Sequence, residues 1–80
     1  MSSKHQTKVI KLMEMKGYFV INLIKTNKNG IPDLLCLKRG ELPLFIECKE
    51  YKDTVKKLQE YRIKQLNELG FKAYVSRAEK

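Results

Sequence analysis

Three residues carry the chemistry this sequence is best equipped to perform. Asp33 follows Pro32 at the start of one apolar run, and Glu47 and Lys49 flank Cys48 at the end of the next. Two carboxylates can bind a hard divalent cation. A lysine two residues from one of them shares its face of a strand and can approach an attacking water, as metal-assisted phosphodiester hydrolysis requires. Taken singly each has an ordinary reading: Pro-Asp is common turn chemistry, and Glu-x-Lys is a same-face ion pair worth little to stability. Their conjunction, at one spacing and in one order, favours hydrolysis.

That reading makes a demand on strand register. Residues 33–38 and 44–49 read as two strands joined through Arg39-Gly40-Glu41 into a β-hairpin. Asp33 and Glu47 meet directly across the hairpin only if opposing residues carry numbers that add to 80. A three-residue loop, or an equivalent bulge at Gly40, produces that register, whereas a two- or four-residue loop sends Glu47 to the other face. The same register sets Cys36 opposite Leu44 and Cys48 opposite Pro32. The two cysteines are therefore not cross-strand partners, and with a single distant His, His5, they read as small buried thiols and not as a disulfide or zinc site.

The other elements must hold this hairpin. Ser3 and Gln6 fit a capping box, with the Ser3 hydroxyl accepting from the Gln6 amide and the Gln6 side chain reaching back. A helix follows with Val9, Ile10, Leu12 and Met13 on one side, and Gly17 ends it. A strand is expected from Tyr18 to Leu23 or Ile24, and residues 25–30, polar and cationic with an Asn-Gly signal, read as a mobile loop. Pro32 and Pro43 stand at strand starts, where a missing amide does least harm. Asp53 or Thr54 caps a second helix over residues 55–69, with Leu58, Tyr61 or Arg62, Gln65 or Leu66, and Leu69 facing inward. Gly70 closes it, and a last strand over 71–76 completes a right-handed parallel crossover. The order is αβββαβ, in one domain spanning residues 1–80.

Composition limits the partners. The chain has 80 residues and a net charge of +8, too short for a cleft between two domains and basic enough to be drawn to polyanions, nucleic acid first. The longest apolar run, residues 18–24, falls far short of the ~20 residues needed to span a bilayer. No signal peptide opens the chain, and a cytoplasmic protein, or one with access to a host nucleus if viral, is expected. The cations at Lys25, Lys28, Lys52, Lys56 and Lys57 should flank the hairpin site and contact phosphates; Lys56 and Lys57 oppose the helix dipole, which hints that binding placed them there. Lys4, Lys8 and Lys11 read as a solvated helix face, and His5 as exposed at a frayed end.

Set in the order αβββαβ, Pro32-Asp33 followed by Glu47-Cys48-Lys49 resembles the PD-(D/E)XK nuclease superfamily. Within it the sequence is most similar to the VRR-NUC group, in particular its minimal stand-alone members of viral type. That group shows Gly-x-Pro-Asp, then Glu-x-Lys, then a Gln opening a helix that continues to a Leu and a Gly. Here these are Gly30-Ile31-Pro32-Asp33, Glu47-Cys48-Lys49, Gln59, Leu66 and Gly70, and the likeness runs from about residue 6 to residue 76. It implies a small α/β domain with a mixed four-stranded sheet flanked by helices. It also implies that Asp33 and Glu47 bind Mg²⁺ or Mn²⁺, that the Cys48 backbone carbonyl adds a ligand, that Lys49 orients or deprotonates the water, and that Gln59 supports the site. Relatives carry a Glu on the first helix near the metal, where this chain has Gln6. Either Gln6 contacts a metal-bound water with one carboxylate fewer, or the correspondence is slightly shifted, with Glu14 too near the helix end to substitute.

The resulting expectation is a metal-dependent, structure-selective DNA endonuclease of the Holliday-junction-resolving type, a homodimer that recognises backbone and shape. Two alternatives stand beside it: a flap or nicking nuclease acting with a partner, and a catalytically silent nucleic-acid-binding module.

Overall fold

The structure, a computed structural model, describes residues 3–80. Its elements are α1 (Lys4–Met15), β1 (Phe19–Asn22), β2 (Leu34–Leu37), β3 (Leu44–Lys49), α2 (Lys57–Glu68) and β4 (Lys72–Arg77). The strands form one sheet in the order β1-β2-β3-β4, antiparallel across β1-β2 and β2-β3 and parallel across β3-β4. This is the mixed αβββαβ architecture expected.

The hairpin has the register the chemistry demands. Leu34 pairs with Ile46, Leu35 with Phe45 and Cys36 with Leu44, so every pair adds to 80. The connection itself is wider than three residues. A turn closes where the Glu41 amide donates to the Lys38 carbonyl at 3.1 Å with Gly40 at φ +81°. Leu42 and Pro43 then follow before β3 begins. Pro43 has no amide to offer, so the ladder cannot run up to the turn.

Alternation along β2 and β3 then separates core from chemistry. Leu34, Cys36, Leu44, Ile46 and Cys48 face α1 and pack with Val9 and Met13 in the buried core, each large apolar side chain contributing roughly 1.5–3 kcal/mol. Both cysteines are free and buried. The opposite face carries Glu47 and Lys49, and α2 packs there against β4. Asn67 at the end of α2 binds both the amide and the carbonyl of Ala73 at 3.0 Å, fastening helix to strand.

The α2 end departs from expectation. The helix begins at Lys57, with Lys56 as its cap residue, and neither Asp53 nor Thr54 caps it. Asp53 is engaged upstream, its carboxylate accepting from the Glu50 amide at 3.1 Å. The Lys56 amide instead donates to Gln59 Oε1 at 2.9 Å. The other end of Gln59 donates to Glu47 Oε2 and sets the rotation of the helix: Gln59, Arg62, Ile63, Gln65 and Leu66 turn inward, while Leu58, Tyr61 and Leu69 are 43%, 56% and 66% exposed. Strand β4 runs one residue further than expected, to Arg77, and β1 stops at Asn22 because the Ile24 amide turns back to the Asn22 carbonyl.

At α1, Ser3 Oγ accepts from the Gln6 amide as expected. The Gln6 side chain does not reach back; its Nε2 donates to Asn22 Oδ1 on β1 at 3.0 Å. His5 is not free at a frayed end. It is half-buried, with Nε2 2.9 Å from Ser76 Oγ and its amide donating to Glu50 Oε2. The Ser3 hydroxyl and the His5 amide hold the Glu50 carboxyl below its ordinary value, as suits a carboxylate at a helix N-terminus.

The segment after β1 is anchored. Its ends are closed by the Leu23 amide donating to the Asp33 carbonyl at 2.7 Å, and Arg62 Nε donates to the Asn29 carbonyl. Gly30 sits at φ +79° where an added Cβ would lie 2.7 Å from Leu58 Cγ and 3.1 Å from the Leu58 carbonyl oxygen. Gly30→Ala should therefore cost about 3 kcal/mol, combining left-handed strain with overpacking against helix backbone. Gly40→Ala, at φ +81° in open space, should cost only ~1 kcal/mol. Urea unfolding followed by circular dichroism measures both; equal losses would show that Leu58 does not constrain the loop.

Candidate active site

The site is built at one end of the sheet from β2, β3 and the first turn of α2. Asp33 enters β2 half-buried, its carbonyl taken by Leu23 and its Oδ2 accepting from the Cys48 amide at 2.8 Å. The carboxylate is thus held against β3 beside Glu47. Pro32 before it is fully buried, which fixes where Asp33 starts.

Glu47 and Lys49 are buried, at 3% and 8% exposure, an environment that charged side chains occupy only with partners. Lys49 Nζ lies 3.3 Å from Glu47 Oε2, and Gln59 Nε2 donates to the same oxygen at 3.1 Å. The other oxygen, Oε1, is buried with no hydrogen-bond partner. Burial raises the Glu47 pKa, the Asp33 charge raises it further, and Lys49 opposes both. Because the native value lies above the unfolded one, folding is favoured by the protonated form. That stability is present below the ordinary carboxylate value of 4.5 and is lost as pH rises through the raised native pKa.

Gln59 is bound on both sides. Its Oε1 caps the Lys56 amide and its Nε2 holds Glu47, so one side chain fixes the start of α2 and orients the carboxylate. The Cys48 side chain faces the core and its thiol pKa is pushed up to about 12, chiefly by burial. Cys48 can therefore offer the site only its backbone. Gln6 donates its side-chain Nε2 to Asn22 Oδ1 at 3.0 Å, and Asn22 pairs with Leu34, the residue after Asp33.

The five flanking cations, Lys25, Lys28, Lys52, Lys56 and Lys57, are all exposed. Lys56 and Lys57 stand at the α2 start, tied to Glu47 through Gln59, while Arg62 and Leu58 bring the loop of Lys25 and Lys28 to the same helix. Among the described residues the one ion pair is Lys49 with Glu47, so the surface cations have no carboxylate partner. Arg77 was not anticipated as part of this region, because the expected strand ended one residue before it. The parallel ladder sets it beside Lys49.

A family model, the VRR-NUC domain, matches residues 18–80. The chain belongs to the VRR-NUC family. The match covers every element from β1 onward and leaves α1, with Gln6, outside it. No curated protein matches the chain. The VRR-NUC domain carries a nuclease-type function, with DNA as its substrate. No helix among the described residues is long and apolar enough to cross a membrane.

In this VRR-NUC domain the Gln59 bridge can be tested directly. Gln59→Ala should cost about 1–3 kcal/mol, since it removes both a helix cap and a donor to a buried carboxylate. Thermal or urea unfolding reads the loss; a change below ~0.5 kcal/mol would mean that the bridge is not formed.

Proposed function

We propose that this VRR-NUC domain is a divalent-metal-dependent, structure-selective DNA endonuclease, with the buried, unpartnered Oε1 of Glu47 as the observation that carries the reading. A carboxylate oxygen removed from water with no hydrogen-bond donor is costly unless a cation satisfies it, and the Asp33 carboxylate beside it supplies a second anionic ligand. No cluster of three or more His, Cys, Asp or Glu side chains suited to a metal is present among the described residues. Mg²⁺ or Mn²⁺ would accordingly be held by Asp33, Glu47 and backbone oxygen such as the Cys48 carbonyl, with water in the remaining positions. When bound, the cation supplies Lewis acidity toward the scissile phosphate and lowers the pKa of a water ligand.

The chain's own groups do the rest. Lys49, paired to Glu47 and on its face, orients the water and offers positive charge where the transition state gains negative charge. Gln59 keeps Glu47 aimed. Lys25, Lys28, Lys52, Lys56 and Lys57 neutralise phosphates along the flank, which gives affinity without base readout.

A Holliday-junction-resolving homodimer is the form we favour, since symmetric incision of a junction needs two sites at a fixed distance. The uncovered sheet face supports it. Phe19 is 69% exposed, and Ile21, Leu35 and Leu37 lie on the same side by alternation, away from α1.

Cleavage of labelled four-way junction, flap, nicked and linear duplex DNA with Mg²⁺, Mn²⁺ or EDTA tests the proposal. Asp33→Ala and Lys49→Ala should lower the rate by ~100-fold or more while DNA binding in EDTA persists. Linear duplex cut as fast as junction would remove the structure selectivity. Absence of cleavage with either metal would leave a binding module.

A further inference from the structure

Arg77 ends β4 opposite Lys49 in the parallel ladder, and alternation places its side chain on the Glu47 and Lys49 face. The next amide, of Ala78, donates to the Lys49 carbonyl at 2.8 Å. Arg77 Nη1 donates to three carbonyls of the turn that leaves β3: Glu50 at 3.2 Å, Tyr51 at 3.4 Å, and Asp53. The turn is closed internally as well, by the Asp53 amide on the Glu50 carbonyl and the Glu50 amide on Asp53 Oδ2, both at 3.1 Å. The Asp53 carboxylate is thereby engaged with backbone, and the contacts of Arg77 are to peptide oxygen and not to an acidic side chain.

This turn is the link between the two halves of the site. The chain passes from Lys49 through residues 50–53 to Lys56, whose amide is bound by Gln59, whose other end holds Glu47. The interactions form a closed circuit, and Arg77 grips it at the only stretch that lies in neither a strand nor a helix. Always charged and carrying several fixed donors, a guanidinium suits convergent carbonyls; an ammonium offers donors of different geometry on a flexible stem.

We propose that Arg77 is a positioning residue for hydrolysis, clamping the 50–53 turn so that Gln59 and Lys49 meet Glu47 in a single arrangement. The proposal rests on the nuclease reading above and adds a residue that acts through others.

Arg77→Ala and Arg77→Lys are compared with the wild type by amide exchange and by steady-state cleavage of the preferred DNA. Both variants should fold, with wild-type circular dichroism and unchanged exchange at Glu41 in the distant hairpin turn. Exchange at the Lys56 amide should speed up about tenfold or more in both. The kcat should fall ~10–100-fold, as for the loss of groups that orient a metal site, with the KM for DNA within about threefold, and Lys should not rescue. A KM rise at constant kcat, with the salt dependence of binding reduced by about one phosphate contact, would make Arg77 a DNA ligand and overturn the positioning role. Unchanged kcat per folded molecule would reduce it to a stabiliser and overturn it equally. If the wild type cleaves no DNA, the nuclease reading fails on its own account; an unchanged Lys56 amide in Arg77→Ala overturns the clamp whether or not it does.

Discussion

The fold is organised around a carboxylate that it buries at a cost. Glu47 has one oxygen satisfied by Lys49 and Gln59 and the other by nothing, and removing one partner from such a pair costs on the order of 3–5 kcal/mol. A group held this way must have its surroundings fixed, because a small displacement leaves a second unpaired charge. Register fixes Glu47 on the β3 face that Lys49 shares, and the Cys48 amide bonded to Asp33 locks the hairpin at the same point. Gln59 then dictates how α2 begins and which of its faces turns inward.

The same arrangement explains how a small chain tolerates so much positive charge. Three carboxylates near the site are already engaged: Asp33 by the Cys48 amide, Asp53 by the Glu50 amide, Glu50 by the start of α1. Little is left to pair with the lysines of the flank, and the net charge of +8 stays available to a polyanion. Stability comes instead from the α1 side of the sheet, where Leu34, Cys36 and Ile46 are wholly buried. The two faces divide the labour: one binds the core together, and the other, held by polar contacts, carries the chemistry.

Much of this was legible in the sequence. The demand that Asp33 stand opposite Glu47 anticipates the register the hairpin adopts, though through a wider connection than a three-residue loop, and the strand, helix and crossover order followed from local pattern. The errors fall where a side chain has two plausible partners. Asp53 looks like a helix cap but serves the turn before the helix, and Gln6 looks like the second half of a capping box but crosses to Asn22. The inward stripe of α2 holds at Arg62, Gln65 and Leu66 and fails at Leu58 and Leu69, where apolar spacing points inward but the contact that sets the helix rotation is polar, Gln59 to Glu47. Arg77 had no local signature at all, since only the parallel pairing of β4 with β3 reveals its neighbour.

Divalent-cation binding in the absence of DNA tests the central claim most directly. Titration calorimetry with Mn²⁺ on wild type and on Glu47→Gln separates a metal site from a merely strained core, since the variant keeps the shape and removes the charge. A single saturable site in the wild type, lost in Glu47→Gln and accompanied by a rise in melting temperature only in the wild type, is the expected result. Equal Mn²⁺ binding by both proteins, or by neither, would contradict the assignment of Glu47 as a metal ligand.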